Sequence, residues 1–330
     1  MRRIALRSVT ILVAAGVIYF VLQRISYQRL LSELHNADYS RFLALMIPNT
    51  VLYVAWDTLV LKVAVKRFHG PVRYRHLLPV RAASYIVGLL NINAGRGALT
   101  LFIGRLLGQP SLQIGSTVIF LVLTEYMHLV AWASLGIILF GSELTRPLLW
   151  VPPATATVWL LLFAYKRAGR SVDFEPGPRT KASIIGRWLA APWSGQLLRT
   201  FRLAPARQYV QIVILRAPIF FVSLCLHYFA APAFGVFIPF SHMVTLLPIV
   251  FMVAALPITA TRIGTTQAAW ILLFGDVAPA ERLLAFSLAA HLTFLGVRAL
   301  LGIVLLPWAY RDLVDRRHLV GSRALHAGNL

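Results

Sequence analysis

The stretch Leu256–Ala269, LPITATRIGTTQAA, interrupts a strongly apolar region with Pro257, Arg262, Gly264 and four threonines. Non-helical backbone at membrane depth is tolerated only where it is buried in protein or lines a watered cavity, because lipid offers no hydrogen-bond partners. An arginine at the centre of a membrane helix costs roughly 2.5–3.5 kcal/mol on insertion scales, so it is expected to face inward. The stretch therefore reads as part of a polar site inside a membrane protein.

The rest of the chain agrees. Of its 330 residues, 58% are hydrophobic and 13% charged, with a mean hydropathy of +0.73, whereas a soluble domain carries about 25% charged residues. Apolar segments of about 20 residues are candidates for membrane spans. Six stand out, near 4–23, 42–63, 115–140, 148–165, 208–231 and 282–308. The first follows the basic start MRRIALR, and no small-x-small cleavage site comes after it, so it reads as an uncleaved anchor and not a signal peptide. Two further stretches, 80–107 and 240–275, are apolar but broken in the middle. The fold expected is all-α, a single membrane domain over 1–330 with six full spans and two re-entrant broken-helix hairpins.

The formal net charge of +21 could point to nucleic acid. On so apolar a chain it points instead to positive-inside topology and to anionic lipid heads. Basic residues cluster before the first span (Arg2, Arg3, Arg7), after the second (Lys62 to Arg81), between Lys166 and Arg207, and from Arg311 to Arg323. If both broken stretches return to the side they came from, these clusters and Arg105 place twenty-three Lys and Arg in the cytoplasm. Only Arg24, Arg29, Arg41, Arg146 and Arg282 then lie outside. Full crossings would strand the basic 166–207 loop outside, against the charge rule. Both termini are thus expected in the cytoplasm. Residues 42–165 and 208–308 form two halves, 166–207 a cytoplasmic loop with an interfacial helix near Trp188 and Trp193, and 309–330 a tail. Residues 24–40, with Leu30, Leu31 and Leu34 among polar neighbours, suit a short helix on the outer interface. The single Cys225 excludes an internal disulfide and a cysteine metal cluster.

The two broken stretches can be aligned. NINAGRGALTLFIGRLLG (91–108) over PITATRIGTTQAAWILLFG (257–275), with one gap, pairs Asn91 with Pro257, Arg96 with Arg262, Gly97 with Gly264 and Gly108 with Gly275. The charge rule places them on opposite sides of the membrane, and matching Gly- or Pro-broken segments in two halves point to a transporter site. The alternative is a coincidence of small residues that serve helix contacts. On the repeat reading, Gly95, Gly97, Pro257 and Gly264 make the breaks. Arg96 and Arg262 each sit just before a half-helix, whose free N–H groups and dipole attract anions. Asn91, Asn93, Thr259, Thr261, Thr265 and Gln267 could hydrogen-bond a head group.

Other polar residues lie within apolar segments. Glu125 and His128 are three apart on one helix face, placed either to relay protons or to neutralise an arginine. Asp57 and Arg216 read as close enough to span ends to snorkel. Arg298 lies deeper and is a cavity candidate, His291 reads as an interhelical hydrogen-bonder, and Tyr85 and Tyr126 as packing. No paired-carboxylate motif, His/Cys metal spacing, G-x-S-x-G or P-loop is present. No enzyme activity, metal or cofactor is expected.

At these residues the chain resembles the membrane half of lysylphosphatidylglycerol synthases and the free-standing flippase-like proteins related to it. The late motif of that family corresponds to Leu256-Pro257, Gly264, Gln267, Ala268, Ala269 and Phe274-Gly275, and the early motif to Asn91, Asn93, Gly95-Arg96, Gly104-Arg105 and Gly108. Thr117 and Glu125 fit the family's next helix, and Ala37-Asp38 its outer segment. The family's acidic residues in the two breaks appear here as Arg96 and Gln267. That exchange suits an anionic head group better than a cationic aminoacylated lipid, and no stretch reads as a synthase domain. The resemblance implies a flippase-like protein of a bacterial-type inner membrane, moving a phospholipid or polyprenyl-phosphate-linked lipid between leaflets. Substrate contacts are expected at Arg96, Arg262, Arg298 and the polar break residues, and proton coupling at Glu125 and His128. A membrane enzyme of envelope lipid metabolism and a non-transporting partner of an envelope synthase stand as alternatives, and a homodimer is compatible with either.

Overall fold

The computed structural model describes residues 26–141, 146, 148–167, 192–255 and 264–327. Every regular element among them is helical. In chain order the helices are α1 (Tyr27–His35), α2 (Tyr39–His69), α3 (Tyr74–Leu90), α4 (Ile92–Leu107), α5 (Ser111–Phe140) and α6 (Val151–Arg167). They continue with α7 (Pro192–Leu197), α8 (Arg199–Leu203), α9 (Ala206–Ala230), α10 (Phe240–Ala255), α11 (Thr265–Phe274) and α12 (Ala280–Ala327). Four are long and apolar enough to cross a membrane: α2, α5, α9 with the 3₁₀ turn that extends it to Phe234, and α12 as far as Asp312. The chain is a multi-span membrane protein.

The difference from six expected spans has local causes. The segment 4–23 lies outside the described residues, as do the loop 171–180 and the predicted interfacial helix as far as 191. The predicted span 148–165 appears as α6, only 17 residues long and so about 26 Å, at the lower limit for crossing a hydrocarbon core of about 30 Å. Pro152 and Pro153 mark its first turn, and Lys166 and Arg167 its last. At the other end of the chain, α12 runs unbroken to Ala327, so the predicted tail 309–330 begins within a helix.

The first broken stretch divides at a single residue. Asn91 is extended (φ −161°, ψ 127°) between α3 and α4, and its side chain accepts hydrogen bonds from the backbone N–H of Asn93 (2.8 Å) and Ala94 (3.2 Å). It thus caps α4, whose first N–H groups would otherwise lack acceptors. The chain doubles back so sharply that a Cβ on Gly95 would lie 2.7 Å from the Gly88 Cα and 3.0 Å from the Ser84 carbonyl oxygen. Gly95 is therefore the contact point of the hairpin and not its break. Gly97, also expected at the break, lies inside α4 with nothing within 4 Å of a Cβ. The second broken stretch shows α10 up to Ala255 and α11 from Thr265; Pro257, Thr259, Thr261 and Arg262 lie outside the described residues. Gly264, at φ 92°, caps α11, and its N–H donates to Gln267 Oε1 at 2.7 Å.

Two hydrophobic cores form at opposite ends of the long helices. One joins Phe42 and Met46 at the start of α2 with α10, α11 and the start of α12, including Val250, Trp270, Phe274 and Phe286. The other joins Val60, Leu61 and Val65 near the end of α2 with α3, α4 and the start of α9, including Leu77, Leu99 and Tyr209. The α3–α4 pair thus belongs to one end of α2 and the α10–α11 pair to the other. Close backbone approaches tie the layers together. A Cβ on Gly136 would lie 2.6 Å from the Thr245 Cα, and one on Gly302 2.7 Å from the Ala82 carbonyl.

Gly95→Ala is expected to lower the melting temperature in detergent, since overpacking costs about 1–3 kcal/mol. Gly97→Ala should leave it unchanged or raise it slightly, because a mid-helix glycine is roughly 0.5–1 kcal/mol worse than alanine. Equal melting of the two variants would refute the tight α3–α4 contact.

Candidate functional site

Between the two cores lies a cavity of about 240 Å³. Four charged side chains on its wall come from four different long helices: Asp57 on α2, Glu125 on α5, Arg216 on α9 and Arg298 on α12. Each lies within about four residues of the midpoint of its long apolar helix. Arg81 of α3 and Arg96 of α4 complete the charged lining. Charges at such a depth are sustainable only when paired or facing a polar interior.

The pairing centres on Asp57. Arg81 donates to it through Nε (2.8 Å to Oδ2) and Nη2 (2.6 Å), a two-nitrogen contact that Lys could not reproduce. Arg216 Nη1 approaches the other carboxylate oxygen at 3.5 Å, and the Tyr85 hydroxyl donates to Oδ2 at 3.3 Å. The Tyr85 ring carries the guanidinium of Arg298 at 3.5 Å from its centroid and that of Arg81 at 4.7 Å. Such cation–π contacts steady a guanidinium that has little water around it. Neighbouring bonds fix the frame. Trp56 Nε1 donates to the Leu215 carbonyl at 2.7 Å, and Arg216 Nη2 to the Leu121 carbonyl at 3.4 Å, linking α2, α9 and α5.

The snorkelling expected of Asp57 and Arg216 does not occur. Both are buried, at 9% and 7% exposure, and face each other. Arg81, counted from the sequence with the cytoplasmic basic cluster, points to the same carboxylate, and Tyr85 is a ligand of the cluster as well as packing. One signal was present: Arg81 and Tyr85 are four residues apart and share a helix face.

The other candidates divide. Arg96 lines the cavity, but it sits inside α4 and not before it, reaching back to Asn93 Oδ1 at 3.4 Å. Asn91 and Asn93 serve the helix start and are not among the lining residues. Thr265 and Gln267 are buried at 5% and 2% exposure and are not among the lining residues, whereas Thr266 between them is. Glu125 lines the cavity and accepts from the Tyr53 hydroxyl at 3.5 Å. His128 does not join it. Its ring packs edge-on against Phe220 at 5.3 Å, so the expected Glu125–His128 relay is not assembled at the cavity wall. His227 and His291 line the cavity instead. Residues from the first two turns of α4 (Ile92, Gly95) and from the first turn of α11 (Thr266) also reach it, which brings two helix N-termini to one space.

No family model matches the chain, and no curated protein matches it.

Asp57→Asn is expected to destabilise the protein by about 3–5 kcal/mol, the usual cost of stripping a buried ion pair of one member. Arg81→Gln should do the same, and the double variant should lose much less than the sum. Additive losses in thermal denaturation would mean that the two groups are not coupled.

Proposed function

We propose that the protein holds the anionic head group of a lipid in this cavity and passes it between the two leaflets of the inner membrane. The carrying observation is the cavity wall itself, where, among the described residues, four arginines share the lining with two carboxylates, and Asp57, Glu125, Arg216 and Arg298 lie midway along helices long enough to span a bilayer. An anion recruited there meets guanidinium forks in a low dielectric, where charge-assisted hydrogen bonds are strong. The starts of α4 and α11 add helix dipoles of the same sign.

The transport reading draws on three further points. The α3–α4 and α10–α11 pairs pack at opposite ends of α2, as two hairpins re-entering from opposite faces would. The distribution of basic residues independently favours that inverted arrangement, with both termini cytoplasmic. The resemblance to the membrane half of lysylphosphatidylglycerol synthases adds a lipid context. In this reading Arg96, Arg298 and, beyond the described residues, Arg262 contact the head group. Asp57 holds Arg81 and Arg216 in place, and Glu125 is the group available for proton coupling.

In liposomes carrying a head-group-labelled anionic lipid, the protein should increase the fraction of label that an external quencher reaches over time, and the lipid should be recovered unaltered. Arg298→Gln and Arg96→Gln should each weaken head-group binding by about 1–3 kcal/mol, the worth of a hydrogen bond to a charged group. Gly264→Val should slow transport, since a β-branched residue strains at positive φ. Metal-dependent recovery of a hydrolysed or transferred head group would replace transport with catalysis. Identical leaflet exchange with and without protein would leave the partner-subunit alternative.

Topology is tested separately. With Cys225 replaced, cysteines placed at Ser171 and Ser322 should resist an impermeant thiol reagent in intact cells, while one at Ser142 should react. Reaction at 171 without permeabilisation would overturn the inverted arrangement.

A further inference from the structure

The charges on the cavity wall specify the ligand more narrowly than its sign. Among the described residues, Arg81, Arg96, Arg216 and Arg298 face Asp57 and Glu125, a formal surplus of two positive charges. Asp57 is already engaged by Arg81 and Arg216. The remaining two arginines have weaker company. Arg96 reaches the Asn93 side-chain carbonyl at 3.4 Å. Arg298 lies over the rings of Tyr85 and Phe294, and its buried Nε has no hydrogen-bond partner. Among the described residues neither is within ion-pair distance of a carboxylate, and a charge at this depth is costly without one, so an anion would complement this part of the wall.

We infer that the head group is a terminal phosphate monoester carried on a lipid, and that Arg96 and Arg298 read its second negative charge. This rests on the lipid-binding reading above and narrows it. A phosphodiester brings one charge and two unbridged oxygens, and a zwitterion brings a cation as well; either leaves at least one arginine unmatched. A monoester carries about −1.5 to −2 at pH 7 and three terminal acceptor oxygens. Its charge meets two arginines where a diester's meets one, and its oxygens can serve two guanidinium forks at once. The rings of Tyr85 and Phe294 hold the guanidinium of Arg298 at the cavity wall.

Protonation supplies an independent signature. The monoester loses its second charge near pH 6, whereas a phosphodiester stays singly charged through that range. The titratable groups on the cavity wall, Asp57, Glu125, His227, His291, Tyr53 and Tyr85, meet both ligands alike. A pH effect confined to the monoester therefore belongs to the ligand.

The test is calorimetric titration of the full-length chain, in nanodiscs of zwitterionic lipid, with dioctanoyl phosphatidic acid, dioctanoyl phosphatidylglycerol and inorganic phosphate. At pH 7.5 the monoester lipid should bind at least about tenfold tighter than the diester, and the two should converge at pH 5. Arg298→Gln should shrink that ratio by about tenfold, while Arg298→Lys should keep most of it because the charge remains. Equal binding of the two lipids at pH 7.5 would overturn the assignment while leaving head-group transport in place. Binding of inorganic phosphate as tight as that of the monoester lipid would overturn the lipid as its source. Failure of both lipids to bind would remove the transport reading itself.

Discussion

The carboxylate of Asp57 is the constraint around which the interior is arranged. It lies near the middle of α2, is 9% exposed, and is approached by guanidiniums from α3 and α9. Neither arginine would be stable at that depth alone, and neither would the carboxylate. Their mutual dependence fixes α3 against α2 and α9, and Tyr85 carries the arrangement on to Arg298 of α12. Four helices that apolar packing would leave free to rotate are thereby held in one register. The two hydrophobic cores supply adhesion at either end, and the charged layer between them supplies uniqueness.

Much of the fold was legible because its determinants are one-dimensional. Four of the predicted spans contain the apolar runs that become α2, α5, α9 and α12. The interruption of 80–107 was visible from its asparagines and glycines, though its mechanics were not. Asn91 alone breaks the helix, while Gly95 serves a contact with Gly88 that only the folded hairpin reveals. The second interruption was visible for the same reason, and Gly264 does adopt a conformation that favours glycine.

The site was harder to read because a cavity is made by residues distant in sequence. Arg96, Arg298 and Glu125 could be picked out as charges inside apolar runs, and all three reach the wall. In the sequence Asp57 and Arg216 read as close enough to span ends to snorkel, and Arg81 counts with the cytoplasmic basic cluster, so their joint role was not visible. Their pairing is a three-helix event, with separations of 24 residues between Asp57 and Arg81 and far more to Arg216. His128 shows how a long helix divides its faces. It shares a helix face with Glu125 by spacing, yet it lodges against Phe220, because the faces of a long helix are divided among several neighbours.

One feature of α12 reaches beyond the site. The helix has 48 residues, hence about 72 Å of length, against roughly 40–45 Å for a bilayer with its head groups. Arg298 sits within its membrane portion, and the helix continues to Ala327, with Pro307 as the position where a backbone hydrogen bond is missing. From Arg298 to that end is about 44 Å of rod. A tilt of a few degrees at the arginine would thus sweep the far end by several ångströms. A rod of that length would turn a small tilt at the cavity wall into a displacement measurable at the edge of the protein.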